Sequence, residues 1–209
     1  KLGAEVVMVT KVGDDMFGRG VKENFASFGI DITYVETAPG VTNGVAPIFV
    51  DRDGNNSILI VKGANEHLRP EDVDKARDKV LGSDFILLQL EVPLETVYRA
   101  IEFGVENSIP VILNPAPARP LDFEYVKKVS VFVPNEVELQ MITDMPTSTM
   151  EEVQKAGESL LERGVKTVLV TLVARGALLL QDGHCELFPA VKVSPKDTTG
   201  AGDAFIGSF

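Results

Sequence analysis

The segment Asp197–Asp203 reads DTTGAGD and precedes the apolar run Ala-Phe-Ile. Gly200 and Gly202 carry no side chain, so a ligand can approach the backbone N–H groups closely, and the pattern predicts that a helix begins here. The first N–H groups of a helix lack partners within it and lie at its positive dipole end. We expect Gly200, Ala201 and Gly202 to form an anion hole suited to a transferred phosphoryl group.

Asp203 falls in the first turn of this predicted helix. One interpretation is a carboxylate that only complements the helix dipole. The other is a general base that accepts a proton from an attacking hydroxyl. A carboxylate beside positive dipoles is a weak base, which phosphoryl transfer tolerates because its loose transition state delays proton loss.

Polar residues follow several apolar runs. Glu91 follows FILLQL, Asn114 follows VIL, Asn135 follows VFVP and Thr171 follows VLV. The carboxyl ends of parallel strands share one edge of the sheet, where ligands bind in open α/β folds. Asn135 with Glu138 also fits a reciprocal helix cap, N-x-x-E.

The elements that must position these residues alternate between short apolar strands and helical patterns. This alternation predicts an α/β fold, with a mostly parallel sheet and helices on both faces. The predicted strands are Glu5–Thr10, Phe85–Leu90, Val111–Leu113, Val129–Val133 and Thr167–Val170, and the predicted helices are Asp15–Phe28, Glu71–Val80, Leu94–Glu106, Val137–Ile142 and Met150–Arg163.

Two β-rich runs, Asn43–Val50 and Ser57–Lys62, interrupt this alternation and predict a hairpin. Pro47 favours an edge strand. The hairpin is either a lid or a decoration. Gly176–Gln181 and Glu186–Val193 predict a second antiparallel pair, and Val191 and Val193 predict a strand leading into the glycine-rich segment.

The composition excludes several classes of protein. The 209 residues include 31 acidic and 20 basic ones, giving a net charge of −11, which argues against general nucleic-acid binding and against an anionic membrane surface. One cysteine, Cys185, excludes an internal disulfide and a cysteine-based zinc site, and two histidines leave little for a His-rich metal site. No apolar run reaches the ~20 residues of a membrane span. The sequence also lacks a P-loop motif and a dinucleotide-binding motif after the first strand.

DTTGAGDAF (Asp197–Phe205) resembles the signature of the ribokinase-like, or PfkB, carbohydrate kinases. The resemblance runs along essentially the whole chain in the same order, and three segments resemble the ribokinases within this family. It implies a three-layer ribokinase-like fold with a small β-hairpin lid. The matching segments are KVGDDMFG (Lys11–Gly18), VKGAN (Val61–Asn65) and the three ribokinase-like ones, LQLEVP (Leu88–Pro93), LNPAPA (Leu113–Ala118) and PNEVE (Pro134–Glu138).

The resemblance implies an ATP-dependent sugar kinase, foremost one that converts D-ribose to ribose 5-phosphate. Asp203 would bind the sugar and deprotonate its 5-hydroxyl, and Glu91 would also contact the sugar. The hairpin from Asn43 to Lys62 would cover the sugar and pair two subunits. Alternatives within the family are kinases of fructose, 2-keto-3-deoxygluconate or a nucleoside. A non-catalytic sugar- or nucleotide-binding protein on the same fold stays open as well.

For the nucleotide and the ions, the resemblance implies that Asn135 touches ATP phosphates and that Glu138 places Mg²⁺ through water. Asp197 and Thr199 would lie at a potassium site. The nucleotide site would be lined by Thr171, Leu172, Val173, Ala174, Arg175, Gly176 and Gly202.

The sequence departs from the family pattern in two respects. The family usually has glycine where Val173 stands, and a β-branched residue there predicts weaker ATP binding. The family's first strand, its G-G-K-G-x-N segment and its terminal helices have no counterpart. We therefore expect residues 1–209 to be a single incomplete kinase domain, truncated at both ends and inactive by itself. We expect the intact protein to be cytoplasmic.

Overall fold

The computed structural model describes residues 2–50, 56–193 and 200–209, and at 48–50 and 56–58 it describes the backbone alone. The chain divides into two compact units. The first unit is Lys1–Gly82 with Glu91–Arg99, and the second is Ser83–Leu90 with Ala100–Phe209.

The first unit begins with strand β1 (Val7–Gly13), followed by helix α1 (Met16–Ser27) and strand β2 (Asp31–Ala38). Strands β1 and β2 pair in parallel, and α1 connects them. The helix prediction is confirmed, whereas the strand starts and ends later than predicted and β2 was missed. Asp15 caps α1, since its Oδ1 accepts a hydrogen bond from Gly18 N at 2.8 Å. The second aspartate of the sequence GDDMFG, Asp15, is thus an N-cap signal.

The hairpin of the first unit consists of β3 (Ile48–Val50) and β4 (Asn56–Ile58), which pair antiparallel. These strands are shorter than predicted, and a further bridge joins Val45 to Val61. A 3₁₀ turn follows at Gly63–His67.

The helix predicted over Glu71–Val80 is two helices, α2 (Pro70–Lys75) and α3 (Arg77–Val80). Ala76 separates them with φ −80° and ψ 1°, outside helical values, and is fully buried. The apolar periodicity does not reveal this break.

A charged network ties β1, β2 and α2 together. Lys11 Nζ donates to Glu36 and, at 2.9 Å, to Asp72 Oδ1, which also accepts from Lys75 Nζ at 2.9 Å. Burial pushes the pKa of Asp72 upward, but the hydrogen bonds from Lys11 and Lys75 outweigh it and leave that pKa below its ordinary value.

The second unit is built on a six-stranded sheet with the order β10-β9-β8-β7-β6-β5. Strands β5 to β8 are parallel and β8 to β10 are antiparallel. The predicted mostly parallel sheet is therefore confirmed, as is the late antiparallel pair. The strands are β5 (Ile86–Leu88), β6 (Val111–Leu113), β7 (Val131–Phe132), β8 (Thr167–Thr171), β9 (Ala177–Gln181) and β10 (His184–Phe188).

The remaining helices are α4 (Leu94–Glu106), divided between the two units, α5 (Phe123–Val126), α6 (Glu136–Thr143), α7 (Met150–Glu162) and α8 (Ala201–Ile206). Helix α7 packs closely on β9, because a Cβ at Gly157 would lie 2.6 Å from Leu180 Cδ1. The strand predicted at Val191 and Val193 is wrong: β10 ends at Phe188, and both valines are exposed outside any strand.

Candidate active site

Helix α8 presents the predicted general base. Gly200 precedes the helix with φ 73°, a left-handed conformation that glycine adopts without strain. Asp203 is exposed in the first turn, and its Oδ2 lies 3.8 Å from the position that a Cβ on Gly200 would take. The carboxylate therefore folds back over the glycine turn, next to the predicted anion hole at Gly200, Ala201 and Gly202.

The apolar end of α8 fixes the helix on the sheet. Phe205 and Ile206 pack against a buried cluster on and next to the strands of the second unit. The segment thus combines an exposed acidic turn with an apolar anchor. The cluster consists of Ile112, Val133, Leu169 and Ala177. Asp197 and Thr199 lie outside the described residues, and their potassium-binding role stays a prediction.

Asn135 and Glu138 form the reciprocal cap that the N-x-x-E spacing predicted. Asn135 Oδ1 accepts from Glu138 N at 2.8 Å, and Glu138 Oε2 accepts from Asn135 N at 2.8 Å. Burial raises the pKa of Glu138, although the Asn135 N–H acts in the opposite direction. The capping interpretation is confirmed, while contacts of these residues to ATP phosphates and Mg²⁺ stay predictions.

The carboxyl ends of β6, β7 and β8 meet at one edge, as expected. Thr171 N donates to Pro134 O at 3.0 Å, and Thr171 forms a parallel bridge with Asn135. Asn114 Nδ2 donates to Val133 O at 2.8 Å. This edge therefore gathers three of the four polar residues predicted there. Glu91 is an exposed residue of the first unit, so its sugar contact stays a prediction.

The turn after β8 has a strained residue at its tip. Leu172 is buried, its N–H donates to Gly176 O at 2.8 Å, and Ala174 is exposed. Val173 has φ 52° and is 84% exposed. A β-branched residue in the left-handed region is a genuine outlier. The departure noted in the sequence therefore coincides with the least favourable backbone conformation of the turn.

Gly176 closes this turn with φ 108°, and a Cβ there would lie only 1.9 Å from Phe188 O. The position therefore requires glycine for two reasons, conformation and space.

An ion pair joins this turn to α6. The Arg175 guanidinium contacts the Glu136 carboxylate, and both side chains are partly buried. Arg175 was predicted at the nucleotide site, whereas Glu136 was missed. The signal available in the sequence was a pair of opposite charges, each four residues after the end of a strand.

Among the described residues, no group of three or more His, Cys, Asp or Glu side chains is arranged to hold a metal ion. Mg²⁺ usually keeps several waters and binds through one or two carboxylates and substrate phosphates, so the site predicted at Glu138 does not require such a cluster. The buried Glu138 carboxylate supplies the oxygen chemistry that such an ion prefers. No helix in the described part of the chain is long and apolar enough to cross a membrane.

Comparisons with known proteins agree on one family. The model of the pfkB family of carbohydrate kinases matches residues 1–209. The chain is 50% identical to a deoxyribokinase of Salmonella typhi, covering all of this chain and 69% of that protein. It is 35% identical to a ribokinase of Haemophilus influenzae, covering all of this chain and 68% of that protein. The chain thus spans about two thirds of the length of these relatives.

Among solved structures, Arabidopsis thaliana ribokinase complexed with ribose and ATP aligns with a TM-score of 0.87 and 30% identity, covering 97% of this chain and 67% of that one. The expected ribokinase-like α/β fold is therefore confirmed. The chain belongs to the pfkB family of carbohydrate kinases.

Proposed function

We propose that the full-length protein transfers the γ-phosphoryl group of ATP to the primary hydroxyl of a pentose, with Asp203 as the general base. The 50% identity to a deoxyribokinase favours deoxyribose as the substrate. Ribose, to which the sequence resemblance pointed first, is the second candidate, because ribokinases share 34–35% identity with the chain.

The observation that carries this proposal is the position of Asp203 in the first turn of α8, three residues after Gly200, whose backbone conformation is left-handed. In the proposed step, the Asp203 carboxylate accepts the hydroxyl proton while the sugar oxygen bonds to the γ-phosphorus. The bond from that phosphorus to the β–γ bridging oxygen breaks, ADP leaves, and Asp203 later passes its proton to water. The amides at Gly200, Ala201 and Gly202 stabilise the charge on the transferred group.

The nucleotide would lie along the edge formed by β7 and β8. Asn135 would contact the ATP phosphates, and the turn from Thr171 to Gly176 would line the rest of the site. Glu138 would orient Mg²⁺ through water, and this ion would neutralise charge on the phosphates. Asp197 and Thr199 would form the potassium site.

The remaining proposals concern the hairpin and the sugar. Glu91 would bind the sugar, and the hairpin from Asn43 to Lys62 would close over it and exclude water. The same hairpin would pair two subunits, which light scattering on wild-type and hairpin-shortened protein tests. The need for ATP favours a cytoplasmic location.

The test is a coupled ADP assay on the full-length protein with deoxyribose, ribose, fructose, 2-keto-3-deoxygluconate and a nucleoside. We expect the highest kcat/KM with deoxyribose. Asp203→Asn should lower kcat by about 10²–10⁴-fold and weaken sugar binding far less, because asparagine can still hydrogen-bond the hydroxyl. Asp182→Asn, an exposed change on the β9–β10 turn, is the control. Sugar binding without ATP consumption by the wild type would instead identify a non-catalytic binding protein.

A further inference from the structure

The Arg175–Glu136 ion pair connects two segments that come from different strand ends. Arg175 ends the 3₁₀ turn Val173–Arg175 after β8, and Glu136 is the first residue of α6. The side chain of Arg175 is 36% exposed and that of Glu136 is 25% exposed. In exposure, the pair therefore lies between a surface ion pair, which contributes little to stability, and a fully desolvated one.

We propose that this ion pair is a positioning device, which holds the turn against the start of α6 in the geometry that binds the nucleotide, and that Arg175 itself does not contact the phosphates. The inference rests on the proposed function, in which both segments line the nucleotide site.

The turn needs such an attachment because its tip is strained. Val173 has φ 52°, a left-handed conformation that is unfavourable for a β-branched residue. Strained residues persist where the surrounding structure holds them. At the base of the turn, Leu172 is buried and its N–H bonds to Gly176 O. Val173 and Ala174 are exposed, so the Arg175 side chain provides an attachment on the tip side.

The other end of the attachment is rigid. Glu136 directly follows Asn135, whose side chain caps α6 together with Glu138. Thr171, at the end of β8, is bonded to Pro134 on the same segment. The backbone bond at Thr171 and the ion pair at Arg175 thus fix the turn to the α6 segment at two points, four residues apart along the chain.

Glu136→Gln distinguishes positioning from direct phosphate contact, because the two roles predict changes of opposite sign in the KM for ATP. If Arg175 reached the phosphates, removing its carboxylate partner would free the guanidinium and lower the KM for ATP. Removing a negative charge beside the phosphates would also favour ATP on charge alone. If the pair positions the turn, Glu136→Gln releases the turn, and the KM for ATP rises.

We expect Glu136→Gln and Arg175→Gln each to raise the KM for ATP about twofold to fivefold, the range that a partly exposed ion pair supports. The kcat and the KM for the sugar should change by less than about twofold. The exchange Glu136→Arg with Arg175→Glu should recover part of the loss. Glu124→Gln, which makes the same charge change in the exposed pair with Lys127 on α5, is the matched control and should leave the KM for ATP unchanged.

An unchanged or lowered KM for ATP in Glu136→Gln overturns the inference, while activity of the wild type maintains the proposed function. If the wild type consumes no ATP with any sugar, the proposed function fails. Equilibrium binding of ATP to the same variants then tests the ion pair: weaker binding by Glu136→Gln supports positioning. Equal or tighter binding, or no ATP binding by the wild type, overturns it.

Discussion

Asn135 and Glu138 each accept a hydrogen bond from the other's backbone N–H, both at 2.8 Å, and so close the first turn of α6. The pair leaves Glu138 buried, with only 8% of the residue exposed. One oxygen of this carboxyl group accepts the capping hydrogen bond from Asn135 N, and we propose that the group also orients Mg²⁺. Substitution separates the two roles, because glutamine retains an oxygen that can accept the bond from Asn135 but carries no negative charge.

Glu138→Gln should weaken the apparent Mg²⁺ affinity by about 10- to 100-fold, the effect typical of a group that orients a metal ion indirectly. The measurement is the Mg²⁺ dependence of the ADP-coupled rate at saturating ATP and sugar. Glu151→Gln, a change at the exposed first turn of α7, is the control. An unaltered Mg²⁺ dependence in Glu138→Gln would remove this residue from the metal site.

The same substitution makes a prediction about pH and stability. Burial raises the pKa of Glu138 above 4.5, so the folded state holds the proton more tightly than the unfolded chain does. The stabilising contribution of the protonated carboxyl is complete below pH ~4.5 and is lost as the pH rises through the raised pKa of the folded state. The free energy of unfolding of the wild type minus that of Glu138→Gln should therefore fall as the pH rises above ~4.5. Urea unfolding at several pH values measures it, and a constant or rising difference would contradict the prediction.

Two substitutions of Val173, to glycine and to alanine, distinguish the strain of its left-handed backbone from crowding of the phosphates by its side chain. Val173→Gly should raise the free energy of unfolding by about 0.5–1 kcal/mol, because relief of the left-handed strain exceeds the added entropy of glycine in the unfolded chain. Val173→Ala retains a Cβ and should gain little stability.

Both Val173 variants should bind ATP more tightly if the valine side chain crowds the phosphates, whereas only Val173→Gly should do so if the backbone conformation is limiting. Calorimetric ATP titration and urea unfolding supply the two readouts. ATP binding by Val173→Gly that is no tighter than that of the wild type would rule out both causes.

Much of this architecture was predictable because its signals are local. The helix Leu94–Glu106 and the strand Val111–Leu113 match their predicted bounds, since apolar periodicity and turn residues delimit them. The cap at Asn135 was also predictable, because its three-residue spacing is a local property.

The missed features depend on contacts between distant segments. Strand β2 reads DITYVETA, whose polar residues weaken the apolar signal, and it is stabilised by pairing with β1. The break at Ala76 reflects burial of that residue. Glu136 joins Arg175 across 39 positions of sequence, so spacing within either segment cannot reveal the pair.

Two glycines with positive φ provide a matched test of close packing. Gly176 and Gly183 have φ 108° and 77°, but a Cβ at Gly176 would lie 1.9 Å from Phe188 O, whereas one at Gly183 would have no atom within 4 Å. Gly183→Ala should cost about 1–2 kcal/mol from conformation alone. Gly176→Ala should cost at least about 3 kcal/mol or abolish soluble expression, because the turn or β10 must also move. Soluble yield and urea unfolding measure the cost of each substitution. Equal losses of stability in the two variants would refute the role of the close approach to Phe188.

Asp72 provides the clearest test of electrostatic stability in the first unit. Its Oδ1 accepts from Lys11 and Lys75, and its Oδ2 accepts from Arg69 N at 2.9 Å. Asp72→Asn leaves the partly buried Lys11 ammonium with Glu36 as its only carboxylate partner among those described, so we expect a loss of about 2–3 kcal/mol at pH 7. Because the pKa of Asp72 is lowered in the folded state, its contribution is complete above the ordinary value of 3.8 and disappears as the pH falls through the lowered value.

The difference in unfolding free energy between wild type and Asp72→Asn should therefore be constant from pH 7 to about pH 5 and shrink below pH ~4. Glu66→Gln removes an exposed carboxylate partner of Lys62 and should change stability by less than about 0.5 kcal/mol throughout. Urea unfolding followed by circular dichroism measures all three proteins. Because the lowered pKa arises from Lys11 and Lys75, a difference that grows on acidification would show that these two lysines do not stabilise the Asp72 carboxylate.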